Sequence, residues 1–108
     1  MDRGLKENVV LASCISYLHL KKIFCWRNNT GAVKIGRHFV RFGYAGSSDI
    51  LGILPDGRFL AVECKREKGG VVSPVQKMFL KEIQDNNGVA CVVHSAKELA
   101  EILKNEIK

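Results

Sequence analysis

The stretch Ser48-Asp49-Ile50-Leu51-Gly52-Ile53-Leu54-Pro55-Asp56-Gly57-Arg58-Phe59-Leu60-Ala61-Val62-Glu63-Cys64-Lys65 decides how this chain folds. Two apolar runs flank Pro55-Asp56-Gly57, the pattern of a β-hairpin. A three-residue loop built as a type I turn plus a bulge suits Pro55 first, Asp56 second and Gly57 in the left-handed region. That loop pairs Leu54 with Arg58, and counting outward sets Asp49 opposite Glu63, thirteen residues intervening. Directly paired residues have Cβ atoms roughly 4.5–5.5 Å apart, where like charges repel. Two carboxylates at the mouth of an apolar hairpin need a cation between them. Lys65 shares the face of Glu63, because strand side chains alternate with period two. The arrangement is a hard-metal site with an ammonium beside it. A two-residue Asp56-Gly57 turn is the competing register. It pairs Asp49 with Cys64, turns the carboxylates to opposite faces and leaves Pro55 in the ladder without an N–H. The three-residue loop is favoured.

Upstream, residues 5–22 carry Leu5, Val9, Ala12, Ile15 or Ser16, and Leu18 or His19 at helical spacing leading to Ile23, which predicts a first helix. Residues 23–27 predict a short strand, ended by the turn composition Asn28-Asn29-Thr30-Gly31. Residues 32–35 and 38–42 predict a second, weaker hairpin around Gly36-Arg37, and residues 43–48 a flexible approach to Asp49. The main hairpin is apolar on both faces and belongs at the centre of its sheet. Downstream, Arg66-Glu67-Lys68-Gly69-Gly70 reads as a polar loop. Ser73-Pro74-Val75-Gln76 opens a helix, with Ser as N-cap, Pro in the first position and Gln three on. Gly88 stops that helix after Asn87. Residues 89–94 form an apolar strand. Ser95-Ala96-Lys97-Glu98, a second capping box, opens a last helix carrying Leu99, Ile102, Leu103 and Ile107. The expected class is α/β: a central mixed β-sheet flanked by helices in the order α-β-β-β-α-β-α.

At 108 residues the expectation is a single domain, residues 1–108, with room for a real core. An apolar content of 46% with 26% charged residues is that of a globular chain. No apolar run reaches the length of a membrane span and no signal region opens the chain, so a soluble, cytoplasmic protein is expected. The four cysteines, Cys14, Cys25, Cys64 and Cys91, are far apart and embedded in apolar stretches, which argues against a zinc site or a disulfide framework. A net charge of +6 with a pI near 9.3 favours a polyanionic partner through counterion release.

In order along the chain, Arg27-Asn28-Asn29-Thr30-Gly31, Arg41-Phe42-Gly43, Gly46-Ser47-Ser48-Asp49, Asp56-Gly57-Arg58, Glu63-Cys64-Lys65 and Ser73-Pro74-Val75-Gln76 resemble the PD-(D/E)xK nuclease superfamily. Within it, they are similar to the virus-type replication-repair nuclease (VRR-NUC) domain family. D…ExK alone is a loose pattern; in this order, with the Gly-rich approach and the helix carrying Gln76, it is specific. Ser48 stands where the superfamily often has Pro, a change of loop stiffness that removes no ligand. The resemblance implies a restriction-endonuclease-like core. It implies Asp49, Glu63 and the backbone carbonyl of Cys64 as metal ligands, Lys65 as the catalytic lysine, Gln76 as the glutamine of the following helix and Glu7 as the acidic residue of the first helix. The implied cofactor is Mg²⁺, which suits one or two carboxylates plus waters and substrate oxygens, with Mn²⁺ substituting and no organic cofactor. The implied activity is a structure-selective DNA endonuclease acting on branched DNA such as Holliday junctions. Its implied setting is a homodimer in DNA repair or phage replication inside a bacterial host.

Each residue also has a plainer reading. Asp49 alone is a turn aspartate, Glu63 a strand-edge charge paired with Lys65 or Arg66, Gln76 the capping partner of Ser73, and Glu7 a favourable charge at a helix N-terminus. The hairpin count weakens the first two. Arg41 and Lys77, then Arg37, Lys34, Arg66, Lys68 and Lys81, are candidates for phosphate contact. His19 reads as a partly buried helix residue, His94 as a strand end, and His19, His38 and His94 show no metal-ligand spacing. Phe24 and Trp26 read as core or interface. Against the endonuclease stands a non-catalytic DNA-binding or assembly module, which the intact Asp49, Glu63 and Lys65 disfavour. An RNA or single-strand nuclease is disfavoured by the lack of an evident aromatic stacking surface.

Overall fold

The structure, a computed structural model, describes residues 4–107. Its elements run α1 (Glu7–Leu20), β1 (Phe24–Arg27), β2 (Gly31–Ile35), β3 (His38–Phe42), β4 (Ile50–Ile53), β5 (Phe59–Cys64), α2 (Pro74–Asp85), β6 (Val89–Val93) and α3 (Ala96–Glu106). Four strands form a mixed sheet in the order β1-β4-β5-β6, antiparallel except for the parallel β5–β6 pair. β2 and β3 pair only with each other. With that hairpin set aside, the core order is the expected α-β-β-β-α-β-α, and the second hairpin is an insertion between β1 and β4.

The Pro55-Asp56-Gly57 loop closes as its composition predicts. The Leu54 N–H donates to the Arg58 carbonyl at 2.9 Å and the Gly57 N–H to the Leu54 carbonyl at 2.8 Å. Gly57 takes a φ of 93°, open to glycine without steric penalty. Asp56 holds the turn by accepting from the Arg58 backbone N–H at 3.0 Å and its Nε at 2.7 Å. Gly57→Ala is expected to cost about 1–2 kcal/mol, read as a lower urea midpoint. An unchanged midpoint would refute the turn assignment.

The loop sets the register: Ile50 faces Val62 and Ile53 faces Phe59. β4 and β5 are the two central strands, as their apolar faces required. Leu60, Val62 and Cys64 share one face and join Ile50, Leu18, Leu99 and Leu103 in the core under α1 and α3. Ala61, Glu63 and Lys65 take the opposite parity, on the face where α2 packs. Alternation therefore puts the ionisable side chains and the main core on opposite sides of one strand.

Four local expectations change in detail. The buried stripe of α1 is Val10, Leu11, Cys14 and Leu18, while Val9 and His19 are exposed; the true stripe is about one position out of phase with the one counted from Leu5. α2 ends at Asp85, and Asn87, not Gly88, adopts the left-handed conformation (φ 68°). Asn87 N–H to Gln84 carbonyl (3.0 Å) and Gly88 N–H to Ile83 carbonyl (2.8 Å) complete a Schellman motif, which Asn tolerates at that position. Ser95 caps α3, but Glu98 turns its carboxylate to the His94 N–H (3.2 Å) and ring (3.1 Å), so the capping box is half formed. Phe24 and Trp26 are exposed on β1 and pack against each other with tilted rings, centroids 5.5 Å apart; the buried residue of that strand is Cys25. No helix among the described residues is long and apolar enough to cross a membrane.

Candidate active site

Asp49 is half-buried, one residue before β4. Continuing the register by one step past Ile50–Val62 sets it opposite Glu63, the pairing the loop count predicts. Its Oδ2 accepts the Cys64 N–H at 2.8 Å, so the carboxylate reaches across to β5 and is held there. In a strand the N–H and C=O of one residue leave on the same edge. The Cys64 carbonyl therefore opens toward Asp49. The Cys64 thiol faces the core, and its hydrogen bond with Cys14, together with burial, pushes its pKa well up. Only the backbone of Cys64 serves the polar face.

Glu63 is 1% exposed, and its Oε2 has no hydrogen-bond partner. A buried carboxylate oxygen without a donor is costly, which makes it informative. Burial first, then the hydrogen bond with Asp49 and the charge of Asp49, push the Glu63 pKa up to about 8; Lys65 opposes the rise and Glu7 adds to it. Asp49 thus acts directly on Glu63 across the strand pair, and repulsion between the two carboxylates is relieved only by a proton or a cation.

Lys65 is 7% exposed. Its Nζ donates to Gln76 Oε1 at 3.2 Å, and the same oxygen accepts the Ser73 N–H at 2.9 Å while the Gln76 N–H donates to Ser73 Oγ at 3.2 Å. Gln76 completes the capping box of α2 and anchors the ammonium together. Gly70 lies against the stem of Lys65, where an added Cβ would sit 3.0 Å from the lysine Cβ.

Glu7 is the first residue of α1 and exposed. The Glu67 N–H donates to the Leu5 carbonyl at 2.9 Å and the Leu5 N–H to Glu67 Oε1 at 3.3 Å. This bridge brings the start of α1 beside the loop that follows Lys65, within electrostatic reach of Glu63. Among the described residues no three His, Cys, Asp or Glu side chains form a metal-holding group. The donors available are the Asp49–Glu63 pair and the Cys64 carbonyl. Two hard oxygen ligands, one of them an orphaned buried oxygen, fit a cation that keeps several waters.

Asn28, a turn residue within a segment that carries the resemblance, has no site role in the sequence reading, yet it positions the approach to Asp49. Its N–H donates to the Asp49 carbonyl at 2.8 Å, and its Nδ2 donates to Ser47 Oγ at 2.6 Å and the Ser48 carbonyl at 3.0 Å. The side chain staples the end of β1 to the approach to Asp49. The signal lay in Arg27-Asn28-Asn29-Thr30-Gly31, where the turn composition masked it.

The cationic candidates do not share one element. Lys34, Arg37 and Arg41 lie on the β2–β3 hairpin, Arg66 and Lys68 on the exposed loop after β5, and Lys77 on the exposed side of α2. Lys81 is bound to Asp85 at 2.7 Å in an i,i+4 pair, which makes it part of the helix surface. His19 lies on α1 and His38 on β3, while His94 follows β6 one register step past the Cys64–Val93 pair, with its ring held by Glu98 at 3.1 Å.

The family model for the VRR-NUC domain matches residues 5–97, a span containing every residue of the pair, the ammonium and its anchor. A search of curated proteins finds no match.

Proposed function

Because the chain belongs to the VRR-NUC family of the PD-(D/E)xK nucleases, and is thereby a nuclease-type DNA-processing domain, we propose that it is a Mg²⁺-dependent endonuclease that cuts branched DNA. The observation that carries this reading is Asp49 facing Glu63 across β4 and β5, with Glu63 Oε2 buried and unpartnered and Lys65 on the same side.

Asp49, Glu63 and the Cys64 carbonyl would hold the ion. A bound hard cation supplies a lowered water pKa, neutralisation of phosphate charge and alignment of the attacking and leaving oxygens. The protein's own groups do the rest. The Cys64 N–H fixes Asp49 Oδ2 and so orients the carboxylate across the strand pair. Gln76 keeps the Lys65 ammonium fixed, and an ammonium held in a low-dielectric slot stabilises negative charge developing on the scissile phosphate. Glu7 adds negative potential at the rim, which strengthens cation capture.

A branched substrate and a homodimer follow from the reading of stand-alone members as junction resolvers. One site cuts one strand, and a two-fold pair of sites suits a symmetric junction. One face of the β2–β3 hairpin supports the pairing: Val33, Ile35, Val40 and Phe42 point the same way by register and are 45–61% exposed. Labelled duplex, flap and four-way-junction DNA incubated with Mg²⁺ or Mn²⁺ tests the activity, with light scattering for the mass. Cleavage of the junction by wild type and about 10³-fold less by Glu63→Gln is the expected result. Equal product from both proteins would overturn the catalytic assignment of Glu63, and no product from either would leave a non-catalytic DNA-binding module.

A further inference from the structure

The charge of this chain is unevenly placed. Six of its seventeen Lys and Arg residues, and none of its eleven Asp and Glu, lie between Leu20 and Ser48. The other eleven cations balance the eleven carboxylates, so the whole net charge of +6 resides in this segment. Its middle is the β2–β3 hairpin, which joins no other strand and is exposed at every residue. Its root is pinned to the carboxylate pair, since Asn28 before β2 bonds Asp49, Ser47 and Ser48 after β3.

The register divides the hairpin into two unlike faces. Gly31, Val33, Ile35, His38, Val40 and Phe42 share the apolar face, where the Phe42 ring lies over Gly31. The other face carries Lys34 directly opposite Phe39, with Arg41 two residues on from Phe39. Neither cation is paired with a carboxylate among the described residues. Phe39 is 73% exposed. The other exposed aromatics of the segment have partners: Phe24 packs at a tilt against Trp26, Tyr44 against Phe79, and Phe42 covers Gly31. Phe39 has no ring contact among the described residues.

An isolated aromatic face between two unpaired cations matches one ligand chemistry: a nucleobase with its flanking phosphates. A base inside a duplex has no free π-face, so stacking selects unpaired nucleotides. We propose that Lys34, Phe39 and Arg41 form a grip for single-stranded DNA toward the tip of the hairpin whose root lies at the cleavage site, with Phe39 stacked on an unpaired base and the two cations on adjoining phosphates. This deepens the nuclease reading, resting on it for DNA as the ligand, and supplies a reason for choosing DNA with unpaired nucleotides over plain duplex. It also revises the expectation that the chain lacks a stacking surface.

The test measures binding of the full chain in EDTA, where cleavage plays no part. The probes are a fluorescent blunt duplex and the same duplex with a single-stranded overhang containing 2-aminopurine. Phe39→Ala is expected to weaken overhang binding by about five- to a hundredfold, abolish 2-aminopurine quenching and leave duplex binding within about twofold. Phe39→Tyr retains all three signals. Lys34→Ala and Arg41→Ala weaken overhang binding, each lowering its salt slope by about one. Equal loss on both probes for Phe39→Ala, no loss, or no DNA binding by wild type overturns the grip. Binding as expected with no cleavage in Mg²⁺ keeps the grip and removes the nuclease. Cleavage with Phe39-independent binding does the reverse.

Discussion

Glu63→Gln is expected to lower cleavage by about 10³-fold while making the metal-free protein more stable than wild type in alkaline buffer. The two effects have one cause. Glu63 is raised from 4.5 to about 8 in the fold, so the folded state holds a proton that the unfolded chain releases. The stabilisation linked to that proton is complete below pH 4.5 and is lost as pH rises through about 8. Metal-free wild type should therefore melt lower as pH climbs through this window, by an amount on the order of a few kcal/mol. A neutral amide at the same position removes that slope and can donate to Asp49. Mg²⁺ should restore the alkaline stability of wild type, since a ligand bound only to the native state adds RT ln(1 + [L]/Kd), and should leave Glu63→Gln unmoved. Scanning calorimetry with EDTA or Mg²⁺ reads all of this. A variant that melts below wild type in alkaline EDTA, or a Mg²⁺ shift shared by both proteins, would sink the assignment of Glu63 as a cation ligand.

Lys65→Met carries the second large effect. The substitution keeps the stem and removes the one charge that opposes the rise of Glu63. Cleavage should fall by about 10²–10³-fold, because a fixed cation at a developing phosphate charge is worth that much. Arginine is not expected to rescue it. Gly70 packs over the stem and Gln76 offers one acceptor at 3.2 Å, a slot shaped for a thin ammonium and not for a planar fork. Single-turnover cleavage under saturating Mg²⁺ separates this from weaker metal binding. Wild-type rates in Lys65→Met would remove Lys65 from the chemistry, and wild-type rates in Lys65→Arg would remove the steric argument.

The legibility of this protein followed the range of the interactions involved. The hairpin register was readable because a three-residue turn leaves no freedom in the count from Gly57 out to Asp49 and Glu63. The capping box at Ser73 and Gln76 was readable for the same reason, being closed within one helical turn. The stripe of α1 was misphased because Val9 and Val10 are equally apolar, and only the packing of Cys14 and Leu18 under the sheet chooses between them. Asn28 was hidden because its partners, Ser47, Ser48 and Asp49, come from the far side of an inserted hairpin. Lys81 counts among the cations by composition, but its ammonium is held by Asp85 one helical turn on.

By itself, then, the sequence determined the strand pair, the carboxylates facing across it, the lysine on their side and the family to which they belong. All of these rest on alternation and turn geometry, which act between neighbours along the chain. Tertiary structure alone decided that Glu63 is sealed from water with an oxygen unpartnered, that Gln76 meets Lys65, and that the cationic hairpin stands apart from the sheet with Phe39 uncovered. Burial and encounter depend on which distant segments fold against each other, and no local pattern encodes that.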